Sequence, residues 1–261
     1  GGLSILNALR AALPHERFVY FADTGHAPYG ERGDAYVVER SRAIAHELLA
    51  RRGAKALVVA CNTATAAAIH TLRAEHPGLP LVGVEPALKP ALASSATRRI
   101  AVLATRVTLA SAKFRTLHAS MAGQADFVRV ACDGLARAIE RDDAPEFMAL
   151  CARYTRAAGT FGTQAGQIDT LVLGCTHYPF VADELQRHTG AAVRFIDTGW
   201  PVAQQTQRLL AAAGLLASGR RGAVALVTTG DASALDAAAS RWLQAPGGTV
   251  PDAAPRTVAT L

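Results

Sequence analysis

Short apolar runs recur along the chain, separated by longer stretches in which apolar residues return every three or four positions. The runs at 18–21, 56–60, 81–84, 100–104, 127–131, 170–173, 192–196 and 223–228 are mostly free of polar residues, as in parallel strands buried on both faces. The intervening stretches have helical spacing. Residues 34–51 form one such stretch, with Gly53 following as a stop, and 201–216 reads the same way. Strands alternating with helices predict an α/β fold with largely parallel sheets. From Ala245 onward Gly247-Gly248, Pro251 and Pro255 predict an irregular tail.

The pattern also repeats itself. Leu57-Val58-Val59-Ala60-Cys61-Asn62-Thr63 is echoed by Leu171-Val172-Leu173-Gly174-Cys175-Thr176-His177, with the two cysteines 114 residues apart. Each copy is an apolar strand ending in cysteine, followed by amide or hydroxyl residues able to start a helix. Asp23-Thr24-Gly25 and Asp197-Thr198-Gly199 form a weaker echo. Together they predict two similar α/β domains, each presenting a cysteine at the C-terminal end of a strand, where open α/β sheets bind ligands. The crossing is expected at Glu85-Pro86 to Lys89-Pro90 and the return at Asp197-Thr198-Gly199. That gives a discontinuous first domain, 1–85 plus 197–261, and a second at 86–196.

Composition narrows the function classes. Half of the 261 residues are hydrophobic, enough for a sizeable core, but no apolar run is long enough to cross a bilayer. With no secretory leader at its start, the sequence predicts a cytoplasmic protein that does not engage a membrane. The net charge of +6 would suit nucleic acid, yet 24 of the 27 basic residues are arginines, scattered singly or in pairs. No aromatic residues interleave with them to stack bases, so a nucleic-acid partner is not expected. None of the four cysteines forms a CxxC pair, so neither a zinc site nor a disulfide scaffold is expected. None of the three lysines sits in a motif suited to a Schiff base.

A cysteine at a strand end, just before a helix, faces exposed N–H groups and the positive end of the helix dipole. Both stabilise a thiolate, and the same donors, with Asn62, Thr63 and Thr176, can hold a carboxylate. Buried core filling is the alternative for any free cysteine. It suits Cys132 and Cys151, which lack polar strand-end neighbours, better than the echoed pair. Two thiols in matched settings can flank one small substrate, one taking a proton while the other gives one, and so invert a stereocentre without a cofactor.

At these residues the chain resembles the glutamate racemases of the aspartate/glutamate racemase superfamily. The matching pieces are Gly1-Gly2-Leu3-Ser4, Phe21-Ala22-Asp23-Thr24 leading to Pro28-Tyr29-Gly30, and Ala60-Cys61-Asn62-Thr63-Ala64-Thr65. Gly83-Val84-Glu85-Pro86-Ala87-Leu88-Lys89-Pro90, Gly174-Cys175-Thr176-His177-Tyr178-Pro179 and Thr228-Thr229-Gly230-Asp231, before a helix with Arg241-Trp242-Leu243, complete the match. The resemblance implies a glutamate-racemising, cofactor-independent homodimer that supplies D-glutamate for peptidoglycan, with its active site in an inter-domain cleft.

It also implies roles for single residues. Cys175 would deprotonate L-glutamate and Cys61 D-glutamate. Pro28, Tyr29, Gly30, Asn62, Thr63 and Thr176 would hold the substrate, with Thr105 and Thr108 as weaker matches. His177 would assist Cys175, a helix-capping or packed histidine being the alternative. Glu140 stands where the family keeps an auxiliary carboxylate, though Cys132-Asp133-Gly134-Leu135 departs from the expected Cys-Pro pattern and an exposed helix-end glutamate fits as well. The family's opening strand and its Asp-Ser-Gly precede the Gly-Gly found here at residues 1 and 2, so the chain reads as N-terminally truncated. Racemisation of another acidic amino acid such as aspartate, or carboxylate binding without turnover, are the other functions compatible with these motifs.

Overall fold

The apolar runs become parallel strands in the computed structural model, which describes residues 1–29, 32–243 and 257–260. The chain divides into two compact units, one of Gly1 with Glu85–Thr198 and the other of Gly2–Val84 with Gly199–Leu261. The unit beginning at Gly2 opens with α1 (Leu3–Ala12), β1 (Phe18–Ala22), α2 (Asp34–His46), β2 (Leu57–Val59), α3 (Asn62–Glu75) and β3 (Leu81–Gly83). The other unit follows with α4 (Leu88–Ser94), β4 (Arg99–Ala104), α5 (Arg106–Ala110), α6 (Ala112–Ala119), β5 (Asp126–Ala131), α7 (Leu135–Glu140), α8 (Ala144–Ala158), β6 (Thr170–Leu173), α9 (Ala182–Thr189) and β7 (Arg194–Ile196). The chain then returns to complete its opening unit with α10 (Gly199–Ala212), β8 (Val224–Thr228), α11 (Ala232–Trp242) and β9 (Thr257–Thr260).

In the inserted unit one parallel sheet runs β5-β4-β6-β7. Successive side chains on a strand face opposite ways. Leu103, Leu171 and Leu173 therefore pack with Leu135, Ile139 and Tyr154, while Ile100, Val102 and Val172 pack with Leu88 and Phe114. The central strands β4 and β6 are covered on both faces and carry almost no polar position, whereas the edge strands β5 and β7 expose Asp126, Arg129 and Arg194. Each fully buried side chain of this size contributes about 1.5–3 kcal/mol. In the other unit β1 pairs with β8, β8 with β9, and β2 with β3, all in parallel. Its core joins Ile5 and Leu9 of α1 to Val82, Val84 and the α10 residues Val202 and Leu210, and sets Ile69 and Leu72 of α3 against Leu57 and Leu81.

Three sequence expectations need correction. Residues 34–51 are α2 to His46 and then a π-helical turn, Glu47–Arg51, before Gly53 stops the helix at a left-handed φ of 63°. Helix α10 spans Gly199–Ala212 rather than 201–216, because Ala213 and Leu215 turn their amides back onto Leu209 and Leu210. The tail expected to be irregular contains β9, which adds in parallel to β8 from Ala225–Thr257 to Thr228–Thr260. β8 offers β9 an unpaired backbone edge, and β-branched residues suit a strand. The rest of that tail, 245–256 and 261, lies outside the described residues. Among the described residues no helix is long and apolar enough to cross a membrane.

Candidate active site

Cys61 is the N-cap of α3, two residues past the end of β2, with extended backbone at φ −141° and ψ 126°. Its carbonyl receives the first helical bond, from the amide of Thr65 at 2.8 Å. Thr65 is fully buried and ties the site together, donating its hydroxyl to the carbonyl of Val59 at 3.1 Å and accepting the amide of Val84 at 3.0 Å. Beside the thiol, the Asn62 Oδ1 is buried without a hydrogen-bond partner among the described residues. A buried, unsatisfied acceptor costs about 1–3 kcal/mol, which a ligand bearing donors would relieve. Thr63 follows in the first turn of α3, where backbone N–H groups have no partner within the helix.

The segment after β1 belongs to the same unit. A 3-10 turn, Thr24–His26, leads to Pro28, which is exposed and follows a cis peptide, and to half-buried Tyr29. Tyr29 donates its hydroxyl to Asp23 Oδ2 at 2.5 Å. Burial first, and then the Asp23 carboxylate, push the phenol well above its ordinary pKa, with a smaller push from Cys61. Gly30 lies outside the described residues.

Cys175 occupies the equivalent strand-end position in the inserted unit. Leu103 pairs with Leu173 across β4 and β6, so Thr105 and Cys175 each stand two residues beyond that pair. Gly174 makes this close approach possible. Its amide donates to the carbonyl of Leu103 at 2.7 Å, and a Cβ there would lie 2.8 Å from the same oxygen. The expected helix does not begin directly after Cys175. Instead the amides of Tyr178 and Phe180 close tight turns onto Cys175 and His177, a 3-10 turn covers Tyr178–Val181, and α9 follows.

Those turns fold His177 back onto the thiol. The Sγ of Cys175 lies 3.6 Å from His177 Nδ1, and His177 Nε2 lies 2.5 Å from Oε2 of Glu140, the last residue of α7. The hydrogen bond from His177 holds the Glu140 carboxyl down at about 2, so at neutral pH it only accepts. Burial lowers the His177 imidazole against the opposing pull of Glu140, which favours the neutral ring. A neutral ring donating from Nε2 has its Nδ1 lone pair facing the thiol, ready to take its proton. Thr176 is buried alongside. Thr105 caps α5, its Oγ1 lying 2.9 Å from that of the buried Thr108. Cys132 and Cys151 sit in the core of this unit, where burial pushes both thiols far up, Cys151 to about 12.

Residues 3–206 match the Asp/Glu/hydantoin racemase family. The chain belongs to that family. This racemase-family chain, an isomerase, is 46% identical over 239 residues to the glutamate racemase of Ralstonia pickettii, which covers 91% of the chain and 82% of the relative. It is 47% identical over 222 residues to the glutamate racemase of Pseudomonas aeruginosa, covering 84% of the chain and 82% of the relative. Among solved structures, a glutamate racemase from Bacillus anthracis superimposes with a TM-score of 0.84 at 27% identity, over 100% of this chain and 93% of that one. The Escherichia coli glutamate racemase in complex with L-glutamate and the activator UDP-MurNAc-ala gives a TM-score of 0.79 at 28% identity, over 92% of this chain and 90% of that one.

Within the racemase fold, the structure brings Cys175, His177 and Glu140 into one chain of contacts, and sets Asn62 directly after Cys61 at the start of α3. Sequence reasoning missed Asp23, Arg40 and Thr229. Asp23 carries the Tyr29 hydroxyl, both Arg40 contacts and the Thr229 hydroxyl. The signals were present in Asp23-Thr24-Gly25 and Thr228-Thr229-Gly230-Asp231, but nothing in a linear reading joined them.

Proposed function

We propose that the chain interconverts L- and D-glutamate without a cofactor and supplies D-glutamate for peptidoglycan. What carries this reading is the placement of one cysteine at the C-terminal end of a strand in each of the two units. Identity of 45–47% with glutamate racemases over most of the chain supports the choice of substrate.

In the L-to-D direction, Cys175 gives its proton to His177 Nδ1 and, as thiolate, removes the α-proton. The imidazolium is stabilised by Glu140. The Cys61 thiol then delivers a proton to the opposite face of the α-carbon, leaving a thiolate beside the first-turn N–H groups of α3. The reverse direction exchanges the two roles. Asn62, Thr63, the Pro28-Tyr29-Gly30 segment and Thr176, with Thr105 and Thr108, hold the substrate's charged groups.

The test is racemisation in deuterated water with no added cofactor. Each thiol exchanges with solvent between turnovers, so product acquires deuterium at the α-carbon. Retention of the original hydrogen, or a requirement for pyridoxal phosphate, refutes the two-base mechanism. Faster turnover of aspartate than of glutamate refutes the choice of substrate alone.

A further inference from the structure

Asp23 has no proton to carry in this chemistry, yet it is the most heavily bonded carboxylate beside the Tyr29 segment. Its Oδ1 accepts Arg40 Nη2 at 2.6 Å and the Thr229 hydroxyl at 2.9 Å. Its Oδ2 accepts Arg40 Nε at 3.0 Å and the Tyr29 hydroxyl at 2.5 Å. Arg40 thus engages both oxygens side-on, and the remaining direction on each is filled by a hydroxyl. The Asp23 side chain is only 7% exposed. Burial opposes its charge, but Arg40, Tyr29 and Thr229 keep the carboxyl below its ordinary pKa.

Thr229 extends the clamp by accepting the Gly25 amide at 3.1 Å, and Thr24 and Thr228 pair their hydroxyls at 2.8 Å. The turn after β8 therefore grips the start of the segment that ends in Pro28 and Tyr29, while Asp23 grips its far end. We propose that Asp23, fixed by Arg40 and Thr229, is a positioning residue that sets the substrate-holding conformation of the Pro28-Tyr29 segment through the Tyr29 hydroxyl. It rests on the glutamate reading only for the segment's role with substrate. The phenol proton is committed to Asp23, so the hydroxyl is not a donor to the ligand. The alternative is an ion pair that merely fastens α2 to the end of β1.

The experiment measures KM, kcat, glutamate affinity and ligand-free hydrogen exchange of residues 24–29 for Asp23→Asn, Tyr29→Phe, the double variant, Thr229→Val and Thr229→Ser. Losing one charge-assisted bond raises KM about tenfold and leaves kcat within about threefold. Tyr29→Phe and Asp23→Asn are non-additive, exchange across 24–29 accelerates, and Thr229→Ser restores what Thr229→Val loses. Lower stability with unchanged KM, affinity and exchange overturns the proposal, as do additive KM effects. Should Asp23→Asn not fold, Tyr29→Phe and the Thr229 pair decide alone. If wild type binds but does not racemise glutamate while exchange responds as expected, the functional reading fails and the clamp stands.

Discussion

Asp169→Asn should destabilise the unit that carries Cys175, in a way that fades with acid. Asp169 immediately precedes β6, six residues before Cys175, and its side chain is almost fully buried. It accepts the Ser95 hydroxyl at 2.6 Å, the amides of Ala96 and Thr97 at 2.6 and 2.9 Å, and the Thr170 hydroxyl at 2.9 Å. Those bonds pin the segment entering β4 to the start of β6. Burial works against the charge, but the four donors prevail and lower the carboxyl from 3.8 to about 2. At about 1.4 kcal/mol per pH unit, the ionised form adds roughly 2–3 kcal/mol to folding. Against a typical total of about 5–15 kcal/mol, that is a large share.

The sign follows from the depressed folded pKa. The contribution is complete above the unfolded value and is lost as pH falls through the folded one. From neutrality to pH 3 the stability gap between wild type and Asp169→Asn should shrink by about 1 kcal/mol, since the unfolded aspartate is then mostly protonated and the folded one is not. Urea unfolding of both proteins at several pH values measures this. A gap that stays constant down to pH 3 would show that the carboxylate's charge is not what holds the two strand entrances together.

Cys61→Ala and Cys175→Ala should each lower racemisation by at least about 10²-fold, while Cys132→Ala and Cys151→Ala stay within a few fold; kinetics on the four variants decide, and equal losses at Cys132 would mean the wrong thiols are assigned. His177→Asn should lower kcat/KM equally in both directions, because the enantiomers are isoenergetic. It should also raise the primary isotope effect on α-deuterated L-glutamate above that on the D-enantiomer, and equal rises would remove His177 from the Cys175 step. The acid limb of kcat/KM should fall below the ordinary imidazole value of 6.5, since burial lowers His177 and only the neutral ring accepts the thiol proton; a pH profile with its limb above 6.5 refutes this. Gly174→Ala should cost activity about 10²-fold at modest loss of melting temperature, because the new Cβ pushes residue 174 off the Leu103 carbonyl and shifts the adjoining Cys175. Retained activity would show that this close approach does not set the thiol.

The eight strand positions were legible because the central strands β4 and β6 are buried on both faces and the other runs are still mostly apolar, Arg129 and Arg194 being exposed on edge strands. Helix ends were less so. Whether α2 continues past His46 as α or π helix depends on local bonding, and where α10 stops depends on amides folding back at Ala213 and Leu215. β9 was illegible for a different reason, since Thr257–Thr260 is a strand only by virtue of β8 beside it. The cysteine echo was legible because each copy is contiguous in sequence. The same kind of reading could not join Glu140 to His177, 37 residues apart, or Asp23 to Thr229, 206 apart.

The echo also concealed a difference. The two cysteines share a strand-end position but not a mode of support. Cys61 stands at the head of a 14-residue helix whose first-turn N–H groups are fixed dipoles that do not titrate near neutral pH. Cys175 is followed by turns too short for a comparable dipole and has instead a histidine and a carboxylate in line. A dipole lowers the energy of a thiolate without accepting its proton, whereas an imidazole takes the proton itself. Two thiols of equal chemical type are thereby given unequal partners, so pH and substitution near His177 act on one proton transfer and leave the other. Any asymmetry between the enantiomers must then appear in isotope effects and saturation behaviour, because the equilibrium forbids it in kcat/KM.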